Sequence, residues 1–143
     1  ISATQAEHKA KPPERTAFAL PPKNNGNRRV FAYLHRSRGI AAEIVNHCIK
    51  YDLLYEDAQH HNAVFVGKDE NNNARYAFLR GTLTDSHFRQ EATGSDKSYG
   101  FFLRGSGKTL FVCEAAIDAL WSQHCGSLEV WIGRKITILH SAA

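Results

Sequence analysis

Glu114 stands at the end of the most apolar run in the chain, within Thr109–Leu120, "TLFVCEAAIDAL". The stretch reads as a strand, then one carboxylate, then a helix. The carboxyl end of a strand is where open α/β sheets hold ligands and ions. A carboxylate there supplies a hard oxygen ligand for Mg²⁺. The same residue early in a helix is also well placed against the helix dipole, so a purely structural role stays open. Asp118 follows one turn later on the same helix face, placed to bond back and hold the strand–helix junction.

A second chemistry is carried by cations. Arg28, Arg29, Arg36 and Arg38 crowd one short helical stretch. Arg75, Arg80, Arg89, Lys97 and Arg104 recur further on, interleaved with Tyr76, Phe78, Tyr99 and Phe101. Cations for phosphates and rings for bases are what a single-stranded nucleic-acid groove requires. A solvated charged face over an aromatic core gives the same pattern. Other motifs are weaker. "GSGKT" (105–109) ends like a phosphate-binding loop, but Phe102 stands where the first glycine is needed and an apolar β run follows, so it reads as a hairpin turn. His60–His61 is a loop pair without a third metal ligand at useful spacing. No nucleophile-elbow sequence is present.

These residues sit in a chain of 143 residues with 43% hydrophobic content, enough for one ordinary core. The formal charge of +4 favours an anionic partner mildly. No apolar run is long enough to span a bilayer, and the first residues lack a signal-like apolar stretch, so no membrane contact is expected. Cys48, Cys113 and Cys125 fall in no ligand spacing, which suits a reducing cytosol. Cys48 and Cys113 lie on apolar faces and read as packing residues. The absence of methionine leads to the expectation that this is a segment of a longer chain.

Residues 1–27 are polar, hold all four prolines and read as a flexible arm, with Leu20–Pro22 able to lie extended on the domain and Asn27 a helix N-cap. Periodicity predicts a helix over Arg28–Ser37, stopped by Gly39, and a second over about Ala41–Tyr51 with Ile44, Val45, Cys48 and Ile49 inward. Strands follow at Asn62–Asp69 and Ala74–Thr82, joined as a hairpin through the Glu70–Asn73 turn. Residues 83–97 read as a loop, Ser98–Gly105 as a strand and Ala115–His124 as a helix. Residues 128–133 and 135–140 read as a closing pair of strands.

The stretches "RRVFAYLHRSRGI", "LLYED", "NAVFVGKDE", "ARYAFLRGT", "GSDKSYGF" and "LFVCEAAIDAL" together resemble primase-like proteins of Gram-positive plasmids and conjugative elements. In those proteins a domain of unknown function leads into a Toprim (topoisomerase–primase) domain. The resemblance covers about Arg28–Leu120. It implies that Glu114 is the Toprim glutamate, a catalytic metal ligand or general acid/base, with Asp118 supporting the junction. It also implies that Arg80 and Lys97 face a polynucleotide, and that the chemistry is Mg²⁺-assisted phosphoryl transfer. Two departures stand out. Ala115 replaces the usual glycine, and no Asp-x-Asp pair follows Asp118; Glu129 is the only later carboxylate side chain.

The fold class expected is α+β: a helical hairpin and an antiparallel β-meander leading into a partial Toprim-like strand–helix unit. The expected divisions are 1–27, 28–105 and 106–143. The function expected is that of a primase-like, Toprim-related protein of a mobile element that binds single-stranded or primed DNA and is catalytically inactive as this segment. Arg28, Arg29, Arg36, Arg38, Arg80 and Lys97 would carry the binding, and Glu114 any weak Mg²⁺ site. Two alternatives stay open. One is a Mg²⁺-dependent nucleotidyltransferase or nuclease completed from outside the chain. The other is a non-catalytic module that docks on other replication or transfer proteins.

Overall fold

A computed structural model describes residues 16–104, 110–112, 115–122 and 129–131. Helix α1 (Arg28–Ala32) runs into one π turn (Tyr33–Ser37), and α2 (Ala42–Lys50) returns beside it. Gly39, at φ +70°, makes the reversal between them in the left-handed region that glycine tolerates. Val30 and Leu34 from the first helix, and Val45 and Cys48 from the second, are fully buried. Burial pushes the Cys48 thiol up to about 12, which leaves it an inert packing residue.

The helical hairpin covers one face of a four-stranded antiparallel sheet, ordered β1 (Leu54–Glu56), β2 (Ala63–Lys68), β3 (Ala74–Arg80) and β4 (Arg89–Glu91). Alternation sorts the sheet's side chains. Leu54, Ala63, Phe65 and Phe78 meet the helices, whereas Tyr55, Val64, Val66 and Ala77 form a second cluster on the opposite face. Phe18 packs on that second cluster.

Two expectations are corrected here. β1 is a strand the periodicity did not mark, and β4 lies inside the stretch read as loop. Both are three residues long, too short for an alternating signal, and β4 is exposed throughout. Over its described part, 16–27, the stretch expected to be a flexible arm lies along the sheet. Ala19 N–H donates to Thr93 O, Asn24 N–H to Glu56 O, and the Lys23 backbone forms an isolated antiparallel β-bridge with that of Asp57.

The expected Ser98–Gly105 strand shrinks to β5 (Phe102–Leu103). Its predecessors are diverted because Tyr99–Gly100 crosses directly over Gly67 of β2, where any Cβ would overlap the Tyr99 carbonyl oxygen. β6 (Leu110–Val112), α3 (Ala116–Ser122) and β7 (Glu129–Trp131) then form a parallel strand–helix–strand unit. β7 lies between β5 and β6, so the hairpin expected between those two strands is not formed, although residues 105–109 themselves lie outside the described residues. Residues 135–140, expected as a closing strand, also lie outside the described residues, as do Cys113 and Cys125. Ala116, Ile117, Ala119 and Leu120 of α3 join the same buried cluster as α1, α2 and the sheet. Among the described residues no helix is long and apolar enough to cross a membrane.

Candidate nucleic-acid interface

One row of cross-strand neighbours runs the width of the sheet at its Glu56 end. Glu56 on β1 pairs with Ala63 on β2, Ala63 with Arg80 on β3, and Arg80 with Arg89 on β4. Directly opposed residues point to the same side, so all four project toward the helices. The first helix lies over this row.

At one end of the row, Glu56 caps that helix. Its carboxylate Oε2 accepts the backbone N–H groups of Arg29 at 3.0 Å and Val30 at 3.3 Å. Oε1 accepts the Asn24 amide at 2.9 Å and pairs with His61 Nδ1 at 2.6 Å. Asn27 reciprocates by accepting the Glu56 N–H through Oδ1 at 2.8 Å. Asn27 thus holds the expected N-cap position, but its side chain bonds the sheet and the sheet's glutamate caps the helix. Burial pushes the Glu56 carboxyl up. Bonds from His61, Val30 N–H, Asn24 and Arg29 N–H more than offset that and hold it below its ordinary range. Asp57 is likewise held low, against burial, by the N–H groups of His60, Asn62 and Gln59. Those bonds fix the 57–62 turn that closes on the "RGT" stretch, where the Thr82 hydroxyl donates to His61 O at 2.9 Å. His60 and His61 therefore belong to a turn and a cap.

At the other end, two arginines meet on one tyrosine. Arg80 Nε donates to the Tyr33 hydroxyl oxygen at 2.9 Å, and Arg38 Nε donates to the same oxygen at 3.1 Å. The Arg38 guanidinium also lies 5.4 Å from the centroid of the Tyr33 ring, a cation–π contact. The π turn makes this possible. Arg38 N–H bonds Tyr33 O at 3.0 Å, a five-residue step that stacks residue 38 over residue 33. A phenol oxygen has two lone pairs, so two arginine donors fill its acceptor capacity. Arg89 adds a third guanidinium on the same side of the sheet. Among the described residues no carboxylate pairs with Arg38, Arg80 or Arg89.

The other expected binding residues are distributed more loosely. Arg28, Arg29 and Arg36 are exposed along the first helix. Lys97 is ion-paired with Glu91 at 3.1 Å, and Arg75 is paired with Asp69 at 2.8 Å. Of the aromatics expected as stacking surfaces, Phe78 and Phe101 serve the interior instead. Phe101 is buried edge-on against Phe65 with centroids 5.4 Å apart, and Phe78 packs on the same core. Tyr33 and Glu56 were not marked by the sequence, and His61 only as half of a loop pair, because their partners are 5 to 47 positions away and follow no helical or strand period.

Glu114 lies outside the described residues. Asp118 is exposed on α3, and Glu129 sits opposite Leu110 at the amino end of the parallel β6–β7 pair, away from the carboxyl ends where such sheets hold ions. Among the described residues no three His, Cys, Asp or Glu side chains are grouped to hold a metal.

The sequence model of a family described as "Protein of unknown function (DUF3991)" matches residues 32–109. That is more than half of the chain, and the chain belongs to this family. The matched span contains Tyr33, Arg38, Glu56, His61, Arg80, Arg89 and Lys97. No curated protein and no solved structure matches the chain.

Proposed function

We propose that this member of the DUF3991 family binds single-stranded or primed DNA through the surface built on Tyr33, Arg38 and Arg80. The observation that carries the reading is the convergence of two guanidiniums on one phenol oxygen without a described carboxylate to neutralise them. Like charges brought together cost stability, and a phosphate between them turns that cost into affinity. Arg28, Arg29, Arg36 and Arg89 extend the positive surface, and the net charge of +4 has the same sign.

The finer identity proposed is a primase-like, Toprim-related protein of a mobile element. The β6–α3 step supports this, since a strand followed by a helix after a small α+β unit is what that resemblance calls for. Because no Asp-x-Asp pair follows Asp118, we read the segment as holding nucleic acid without turning it over, with Mg²⁺ at Glu114 secondary.

One observation favours a docking role beside this. An open groove of about 660 Å³ runs between Ala19–Pro22 and β4, lined by Leu20, Leu79, Leu83 and Phe88. Leu20, Leu83 and Phe88 are exposed there, so another replication or transfer protein has an apolar surface to meet.

The test is fluorescence anisotropy of labelled single-stranded DNA across salt, with and without Mg²⁺. Affinity falls steeply with salt in the natural chain and is largely lost in Arg38→Ala/Arg80→Ala. Binding that ignores salt, or survives the double substitution, refutes the reading.

A further inference from the structure

Strand β4 closes one side of the four-stranded sheet, with only β3 beside it. Its backbone alternates between neighbour and solvent. Gly81 N–H donates to Phe88 O, Ala92 N–H donates to Ala77 O, and Gln90 stands opposite Leu79 between them. Residues 88, 90 and 92 therefore turn their backbone groups toward β3, and Arg89 and Glu91 turn theirs outward. All three residues of β4 are exposed. Among the described residues no hydrogen bond takes up the outward N–H and C=O groups of Arg89 and Glu91. The next outward carbonyl, that of Thr93, accepts Ala19 N–H at 3.3 Å, so this edge already holds one extended segment.

Short, charged edges discourage chance pairing. The charges on β4 nevertheless match one strand, which is β4 itself. Set antiparallel with Gln90 opposite the partner's Gln90, each Arg89 faces the partner's Glu91 on the helix side of the sheet, and each such pair exchanges both backbone bonds. Centring on Arg89 or on Glu91 instead opposes like charges. On the other face Phe88, 41% exposed, comes opposite the partner's Ala92, a large residue against a small one. Leu20 and Leu83 are exposed beside it in the same groove. Glu91 already holds Lys97 at 3.1 Å, so each junction has two cations to one carboxylate and the seam stays positive.

We infer that β4 is the edge on which two copies of this chain join, an isologous dimer in which the two sheets become one continuous antiparallel sheet. Directly opposed residues share a side, so both helical hairpins, and both Arg38–Arg80 pairs, lie on the same face of it. Pairing across three residues with this apolar fringe is at the small end of specific interfaces, so the dimer is weak and its population follows concentration.

The test contains no nucleic acid, so its outcome is independent of the DNA reading. In sedimentation of the full chain from micromolar to near-millimolar concentration, the parent shifts from monomer to dimer. Arg89→Glu and Glu91→Arg each oppose like charges at both ends of the seam and weaken association by more than about tenfold. Mixed in equal amounts, the two variants pair with each other, because every Glu then faces an Arg, and association returns to within about threefold of the parent. Gln90→Cys reads the register without touching a charge. Opposed residues of a pair without backbone bonds lie about 4.5 Å apart at Cα, close enough for a disulfide. Mild oxidation therefore links two copies through residue 90, which the parent's own three cysteines do not do. A parent chain that stays monomeric, single variants that associate as the parent does, a mixture that does not pair, or the absence of a link at residue 90 overturns the inference.

Discussion

The two ends of the Glu56–Ala63–Arg80–Arg89 row are built on opposite electrostatic rules. At the Glu56 end a buried carboxylate meets two backbone donors, an amide and an imidazole, and every demand is met inside the protein. At the Arg80 end two guanidiniums share one neutral oxygen and a third stands across the strand, with no described carboxylate ion-paired to any of them. The small residue between them, Ala63, leaves the first helix room to lie over both. Neighbouring strands are about 4.8 Å apart, so the acid and Arg80 are separated by two strand spacings. At that distance, with solvent beside the pair, the acid does little to neutralise the arginines. One end of the row spends its charge on holding the helix. The other keeps its charge available to solvent, which is the arrangement expected of a surface that binds an anion at some cost to stability.

Substitutions can break this contrast, and the largest effect is expected at the satisfied end. Glu56→Ala strands the Arg29 and Val30 N–H groups together with Asn24 and His61. It should cost about 2–4 kcal/mol in denaturant unfolding while the folded fraction still binds DNA normally. Acid should act on the same end. Glu56 and Asp57 both titrate below their ordinary values in the folded state. Their contribution is therefore complete above the unfolded carboxylate pKa values and is lost as pH falls through the lower folded ones. The melting temperature should drop between about pH 5 and pH 3, and Glu56→Gln should flatten part of that drop.

At the unsatisfied end the order reverses: binding moves and stability barely does. Tyr33→Phe keeps the ring and its cation–π contact but removes the shared oxygen. It should cost about 1 kcal/mol of stability and lower DNA affinity severalfold as the two guanidiniums lose their common anchor. Arg38→Ala or Arg80→Ala should each reduce the slope of log affinity against log salt by about one, with stability within about 0.5 kcal/mol of the parent. Arg89→Thr sharpens the contrast furthest with the smallest change. Removing one of two directly opposed like charges should raise stability by a few tenths of a kcal/mol while weakening binding. A Glu56 variant that lost DNA affinity in its folded fraction, or an arginine variant that unfolded, would erase the distinction.

The parts legible in the sequence are those with local causes. The Ala63–Lys68 and Ala74–Arg80 hairpin announced itself by alternation. Its turn is held by Asp69 accepting the N–H groups of Asn71 and Asn73, with Asn72 at φ +64°. The α2 stripe of Ile44, Val45, Cys48 and Ile49 was equally readable, because one face of a regular helix meets the core. The arginines were visible as a group, but which of them converge was not, since Arg38 and Arg80 meet through a tyrosine in a π turn that the 3.6-residue period misplaces. The interleaved aromatics misled for a physical reason. Phe78 and Arg80 share one face of β3, so alternation does not separate the ring that packs on the core from the cation two positions on. The Glu56 cap is unreadable because it joins a three-residue strand to a helix 26 positions earlier.

That cap also sets the size of the smallest piece able to fold. Family similarity begins at residue 32, inside the first helix, and composition alone would place the boundary at Arg28. A protein trimmed to either point loses Asn24 and Asn27, along with the Pro21 carbonyl that accepts the Tyr55 hydroxyl. Glu56 would then keep its burial without its amide partners. The unit of inheritance is shorter than the unit of folding, and a truncation drawn along the former would report on a fragment whose helix has no fixed beginning.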